Sequence, residues 1–153
     1  MSARSSLRTA TLALTAGALT LTGALVAGTP ASANDSRTTV LRTALTGAQE
    51  VPGPGDPDGS GRGQLRIKVA TGEICYRLRV RDIETATVAH IHEAVRGKAA
   101  PPVASLLAPL SGRSDGCFVN PPLARDIVAD PADYYLNVHN VRFPAGAVRG
   151  QLG

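Results

Sequence analysis

The sequence predicts an all-β domain: an antiparallel β-sandwich or Greek-key barrel with one disulfide and at most one short helix. Short apolar stretches alternate with polar residues at a period of two, as in Leu65, Ile67 and Val69 against Gln64, Arg66 and Lys68. Gly, Pro, Asp and Asn punctuate these stretches at short intervals, and no long segment keeps the 3.6-residue period of a helix. Two cysteines, Cys75 and Cys117, follow an export-type N-terminus, which suits a small oxidised β domain.

The N-terminus comes first in the chain. Arg4 and Arg8 precede an uncharged stretch of Ala, Leu, Val, Thr and Gly from Thr9 to Ala27, and Ala31-Ser32-Ala33 offers small residues where a signal peptidase reads them. Residues 1–33 are therefore expected to be a signal peptide cut before Asn34, with 34–37 a polar leader and 38–153 the domain. An uncleaved membrane anchor is the alternative, and the dilution by Thr and Gly argues against it. The arginines are not adjacent, as a twin-arginine signal requires, and no cysteine near the cut invites a lipid. The expected product is secreted and has no membrane span.

Within the domain, Val40 to Leu45 reads as a first strand. Thr46 to Gly63, crowded with Gly, Pro and Asp, reads as one long loop without helix or strand signal. Gln64 to Val69 and Ile74 to Val80 form a hairpin across Thr71-Gly72, with Ile74, Tyr76, Leu78 and Val80 inward and Cys75, Arg77 and Arg79 outward. Thr85 to Glu93, Val103 to Leu107 and Gly116 to Val119 follow as strands. Pro121 to Asp130 admits a helical turn, since Pro122 suits a helix start, Leu123 and Ile127 lie four apart and Pro131 stops it. Tyr134 to Asn140 and Ala147 to Leu152 are the last strands. With two Phe, three Tyr and no Trp, the core must be aliphatic.

Charge narrows the partners. Export removes two of the 16 basic residues and none of the 12 acidic ones, bringing the formal charge from +4 to +2. The remaining bases look scattered along the chain, so neither nucleic acid nor an anionic membrane surface is expected as a partner. Cys75 and Cys117 are expected to form a disulfide, worth roughly 4 kcal/mol on the chain-entropy model. A redox or ligand thiol pair would favour the closer C-x-x-C spacing.

All three histidines fall in predicted strands. His90 and His92 are two apart and share a face, and His139 completes a three-imidazole cluster if its strand pairs with theirs. Neutral imidazoles suit Cu(II) or Zn(II), so copper or zinc is the cofactor this pattern suggests. The plainer reading is three histidines each donating a hydrogen bond to backbone. Ser105, Ser111 and Ser114 lack a nucleophile elbow, and nothing sets a catalytic separation between Glu50 and Glu93. No catalytic residue is assigned. Glu50 and Arg149 flank turns near opposite ends of the domain, where a Glu–Arg or Arg–backbone contact between first and last strands is expected, with ligand contact as the alternative.

Four blocks carry a resemblance: Leu45-Thr46-Gly47-Ala48-Gln49-Glu50-Val51-Pro52, Ala89-His90-Ile91-His92, Asp133 to Asn140, and Phe143 to Leu152. In this order, over about Thr38 to Leu152, the chain resembles the CHRD domain family, named after chordin, in its stand-alone bacterial form. The resemblance implies a secreted β domain more than an activity. In chordin, cysteine-rich modules carry the growth-factor binding; this sequence has none, so that role does not transfer. The run Glu93-Ala94-Val95-Arg96-Gly97 departs from the family, which places a Gly sooner after the second His. The H-x-H strand and the disulfide are also faintly similar to copper/zinc superoxide dismutase, but three histidines fall short of that enzyme's two metals.

The expected function is thus a non-catalytic extracellular binding module whose partner is a protein or a glycan. A mononuclear copper or zinc protein is the second reading and a structural envelope protein the third.

Overall fold

A computed structural model describes residues 37–153; the expected signal peptide and residues 34–36 of the leader lie outside the described residues. Eight strands run in chain order as β1 (Thr38–Thr46), β2 (Ser60–Lys68), β3 (Glu73–Arg81), β4 (Ala86–Glu93), β5 (Pro102–Leu106), β6 (Arg113–Val119), β7 (Tyr134–Asn140) and β8 (Val148–Gln151). One helix, α1 (Pro121–Ala129), lies between β6 and β7. The strands form one antiparallel sheet in the order β5-β4-β7-β8-β1-β2-β3-β6, nearly closed into a barrel. Among the described residues no helix is long and apolar enough to cross a membrane.

The sheet folds back on itself at its thinnest join. β1 and β8 share a single register pair, Thr46 with Arg149, so β6-β3-β2-β1 and β8-β7-β4-β5 act as two facing halves. Leu65, Ile67, Ile74 and Leu78 from one half meet Ala89, Ile91, Leu136 and Val138 from the other, all fully buried. The core is aliphatic, as composition requires, with Tyr76 and Tyr134 at its margin.

The long loop expected over Thr46 to Gly63 is shorter and more ordered than its composition suggests. A 3-10 turn occupies Gly47–Gln49, and β2 already begins at Ser60. Gly61 and Gly63, which read as loop residues, are strand residues; a Cβ at Gly61 would meet the Arg79 carbonyl on neighbouring β3, and one at Gly63 would overlap the Cδ1 of Leu136 from the facing half. At Gly63 glycine serves close approach between the halves rather than a turn.

The helical turn expected after β6 is a full helix. Asn120 caps it by accepting from Leu123 N–H at 3.1 Å, and Pro121, not Pro122, takes the first helical position. Leu123, Ala124 and Ile127 bury one face of α1 against β2 and β3. Cys75 and Cys117 are directly opposite in register and bonded, fastening edge strand β6 to β3. Across the remaining gap, Tyr76 Oη accepts from Leu107 N–H at 3.0 Å, tying the end of β5 to the β3 side.

One expectation from charge fails. The arginines of β1, β2, β3 and β6 are not scattered in space: strand alternation collects them on one outer face, with Arg62, Arg79 and Arg113 in register on three neighbouring strands. The period-two spacing of Arg77, Arg79 and Arg81 carried this signal, which a count of net charge does not see.

Candidate metal centre

Strands β7 and β8 are buried on both faces. One face meets the aliphatic core. The other carries His90 and His92 from β4, Tyr135, Asn137 and His139 from β7, and Arg149 and Gln151 from β8, a polar layer contacted by four chain segments outside the sheet, one of them the turn Pro131–Asp133, whose Ala132 carbonyl accepts from Gln151 Nε2 at 2.7 Å. Segment 94–100 supplies carbonyls to this layer: Ala94 to Gln151, Val95 and Lys98 to Arg149, and Ala100 to His92. The segment after the 3-10 turn brings Glu50, and the β7–β8 connection brings the Pro144 carbonyl.

Register assembles the histidines. β4 pairs with β7 so that His90 faces Asn137, His92 faces Tyr135 and Val88 faces His139, which places His139 diagonally across from His90. The ligand atoms of His90, His92 and His139 all lie within 4.8 Å of one another. His92 donates from Nδ1 to the Ala100 carbonyl at 2.8 Å and His139 from Nδ1 to the Pro144 carbonyl at 3.0 Å. Each bond fixes a tautomer and leaves Nε2 as a lone pair. His139 Nε2 sits 3.2 Å from His90 Nδ1, whereas His92 Nε2 is buried with no hydrogen-bond partner among the described residues.

Stacking holds the rings in place. His92 lies parallel to Tyr135 with centroids 4.6 Å apart, and the guanidinium carbon of Arg149 stands 3.4 Å from the centre of the same tyrosine ring. Burial pushes all three imidazoles below their ordinary pKa, His92 to about 4, where the Ala100 carbonyl opposes the shift and the other two histidines and Arg149 add to it. At neutral pH the cluster is uncharged, the form that binds metal.

Glu50 is a second buried polar group of this layer. Its Oε2 accepts from Asn137 Nδ2 at 3.3 Å, while Oε1 and the Asn137 carbonyl oxygen have no partner among the described residues. Burial raises its carboxyl to about 8 against the opposing pull of Arg149 and the Asn137 hydrogen bond. Glu50 and Arg149 lie in the same layer, but the backbone partners of the Arg149 side chain are in segment 94–100 rather than on the first strand. Among the described residues the two make no ion pair, and Arg149 donates to the Lys98 carbonyl at 2.7 Å and to Gln151 Oε1 at 3.0 Å.

Tyr135, Asn137 and Gln151 were not singled out from sequence, although the alternation that aligns His90 with His92 also aligns Tyr135, Asn137 and His139. The carbonyls of Ala100 and Pro144 had no such signal, because any residue can supply one. The run Glu93 to Gly97 leads into this covering segment, with Gly97 at a left-handed φ of 78° in its turn.

Fold and site together define a disulfide-stapled antiparallel β domain with a covered imidazole cluster on one outer face. The chain belongs to the CHRD domain family, whose model matches residues 41–152. No curated protein and no solved structure matches it.

Proposed function

We propose that this chain is a secreted metal-binding CHRD protein in which His90, His92 and His139 hold a single Zn(II) or Cu(II) ion. The observation that carries the reading is the buried Nε2 of His92. A buried polar atom without a partner costs on the order of 1–3 kcal/mol, and this one belongs to a ring whose other nitrogen is anchored as metal-ligating histidines are. The His139 ring is anchored in the same way, and the neutral state of all three suits coordination. Three imidazoles leave a coordination position free, and His90 is the half-buried member through which solvent reaches the cluster.

Export belongs to the same reading. The charged start, the apolar stretch and the small residues before Asn34 support it, and the disulfide between Cys75 and Cys117 suits an oxidising compartment. Intact protein recovered from culture medium should begin at Asn34; a chain retained in the membrane with residues 1–33 attached would refute secretion.

Calorimetric titration with Zn(II) and with Cu(II) near neutral pH tests the metal. One-to-one binding that disappears when all three histidines are changed to Ala is expected. A second reading rests on the 3.2 Å approach of His90 Nδ1 to His139 Nε2, which is a sound hydrogen bond between neutral imidazoles. In that case the cluster is structural and the domain is an interaction module; equal metal uptake by wild type and variant, or none by either, establishes it.

A further inference from the structure

The outer face of β1, β2, β3 and β6 is a grid of arginines. Arg62, Arg79 and Arg113 are register partners on three adjacent strands, so three guanidiniums stand abreast. Arg42 and Arg77 flank Gln64 in the next row, where the exposed Asp115 stands opposite Arg77 as the acid within the grid. Arg66 lies a row beyond, and Arg81 is at the opposite end beside Ser60. All of them are exposed. Like charges directly opposite one another destabilise a sheet, and the fold neutralises few of these. Among the described residues, Arg81 reaches Asp82 at 3.7 Å, and the others make no ion pair. Glu73, at the margin of the face, is taken by Lys68 at 2.8 Å.

A shallow groove of about 500 Å³ runs among Arg42, Arg62, Arg77 and Arg79, and a second of about 280 Å³ shares Arg62 and Arg79 with it and extends to Arg81. Strands spaced about 4.8 Å apart, with same-face residues about 6.7 Å apart along each, repeat positive charge in both directions across this face. We infer that this face binds an acidic polysaccharide, whose anionic groups the planar guanidinium forks meet in paired, charge-assisted hydrogen bonds. The grid suits a glycan better than nucleic acid. Among the described residues it carries no aromatic side chain on which a base could stack, and no helix or ribbon rises from it to enter a groove. The two halves of the sheet pack core to core, so this face and the histidine layer point away from each other and the inference is independent of metal binding.

The test is binding of the full chain to dextran sulfate, with uncharged dextran as control, as a function of salt. Changing Arg62, Arg79 and Arg113 together to Gln should weaken binding by about tenfold or more and flatten its salt dependence. Changing Lys98, Arg125 and Arg142 to Gln removes the same charge elsewhere and should leave affinity within about twofold. The melting temperature of each variant confirms that it is folded, and relief of repulsion should hold or raise that of the grid variant. Equal weakening by both variants, no weakening by the grid variant, or tighter binding to single-stranded DNA than to dextran sulfate overturns the proposal.

Discussion

His92 donates to the carbonyl of Ala100 at 2.8 Å, and by doing so turns its other nitrogen into a buried lone pair. A group placed this way is costly in the free protein and is relieved by a bound ion. Metal should therefore stabilise the fold: at a free concentration about one hundred times Kd, the gain is roughly 2.7 kcal/mol. The variant His92→Ala should lose that gain, and its metal-free form should be less stable by roughly 1–3 kcal/mol through the lost hydrogen bond and the lost stack on Tyr135. Thermal melts with and without Zn(II), run on both proteins, separate the two effects. A metal-induced rise that survives in His92→Ala would remove His92 from the ligand set.

The pH dependence of the metal-free protein has two opposed parts. Glu50 keeps its proton up to about pH 8 in the folded state, against an ordinary 4.5, so its contribution is full below 4.5 and is lost as pH rises through 8. His92 titrates near 4 when folded, against an ordinary 6.5, so its contribution is full above 6.5 and is lost as pH falls through 4. Between pH 6.5 and 8 only the Glu50 effect of this pair operates. Urea unfolding in the presence of a chelator should show stability falling by about 2 kcal/mol across that window, and Glu50→Gln should flatten the fall. An unchanged slope in the variant would place the titrating group elsewhere.

The disulfide joins an edge strand to its only neighbour in the sheet. Replacing Cys75 and Cys117 together with Ser should cost roughly 2–5 kcal/mol in denaturant titration. Wild-type protein purified without reductant should show no thiol under denaturing, non-reducing conditions; two titratable thiols would mean the bridge does not form.

Gly63 and Leu136 should behave as a coupled pair. Gly63→Ala puts a methyl where Leu136 Cδ1 lies and should destabilise by roughly 1–3 kcal/mol. Leu136→Ala opens a cavity in the core and should cost roughly 2–5 kcal/mol. In the double variant the new methyl meets no Leu136 side chain, so the combined loss should fall short of the sum. Strict additivity in chemical denaturation would show that the halves do not touch at this point.

Much of the fold was legible because strand alternation is a local property. The inward set Ile74, Tyr76, Leu78 and Val80 and the outward Cys75, Arg77 and Arg79 follow from spacing alone, as does the shared face of His90 and His92. Gly61 and Gly63 misled in the other direction: glycine is locally a loop signal, whereas both are paired in the β1–β2–β3 ladder and Gly63 makes room for Leu136 across the core.

The chain's sequence by itself determined the β class, the aliphatic core, the pairing of its two cysteines and the three histidines as the candidate ligands. Each of these depends on composition or on neighbours two residues away. Tertiary structure alone decided that β4 pairs with β7, bringing His139 to His90, that segment 94–100 covers the layer and leaves His92 Nε2 buried, and that arginines from four strands meet on one face. His90 and His139 are 49 positions apart and Lys98 and Arg149 are 51 apart, and the arginine row joins β3 to β6, which is distant from it in the chain. These relationships follow from the register and order of strands, which many sequences of the same period could satisfy differently.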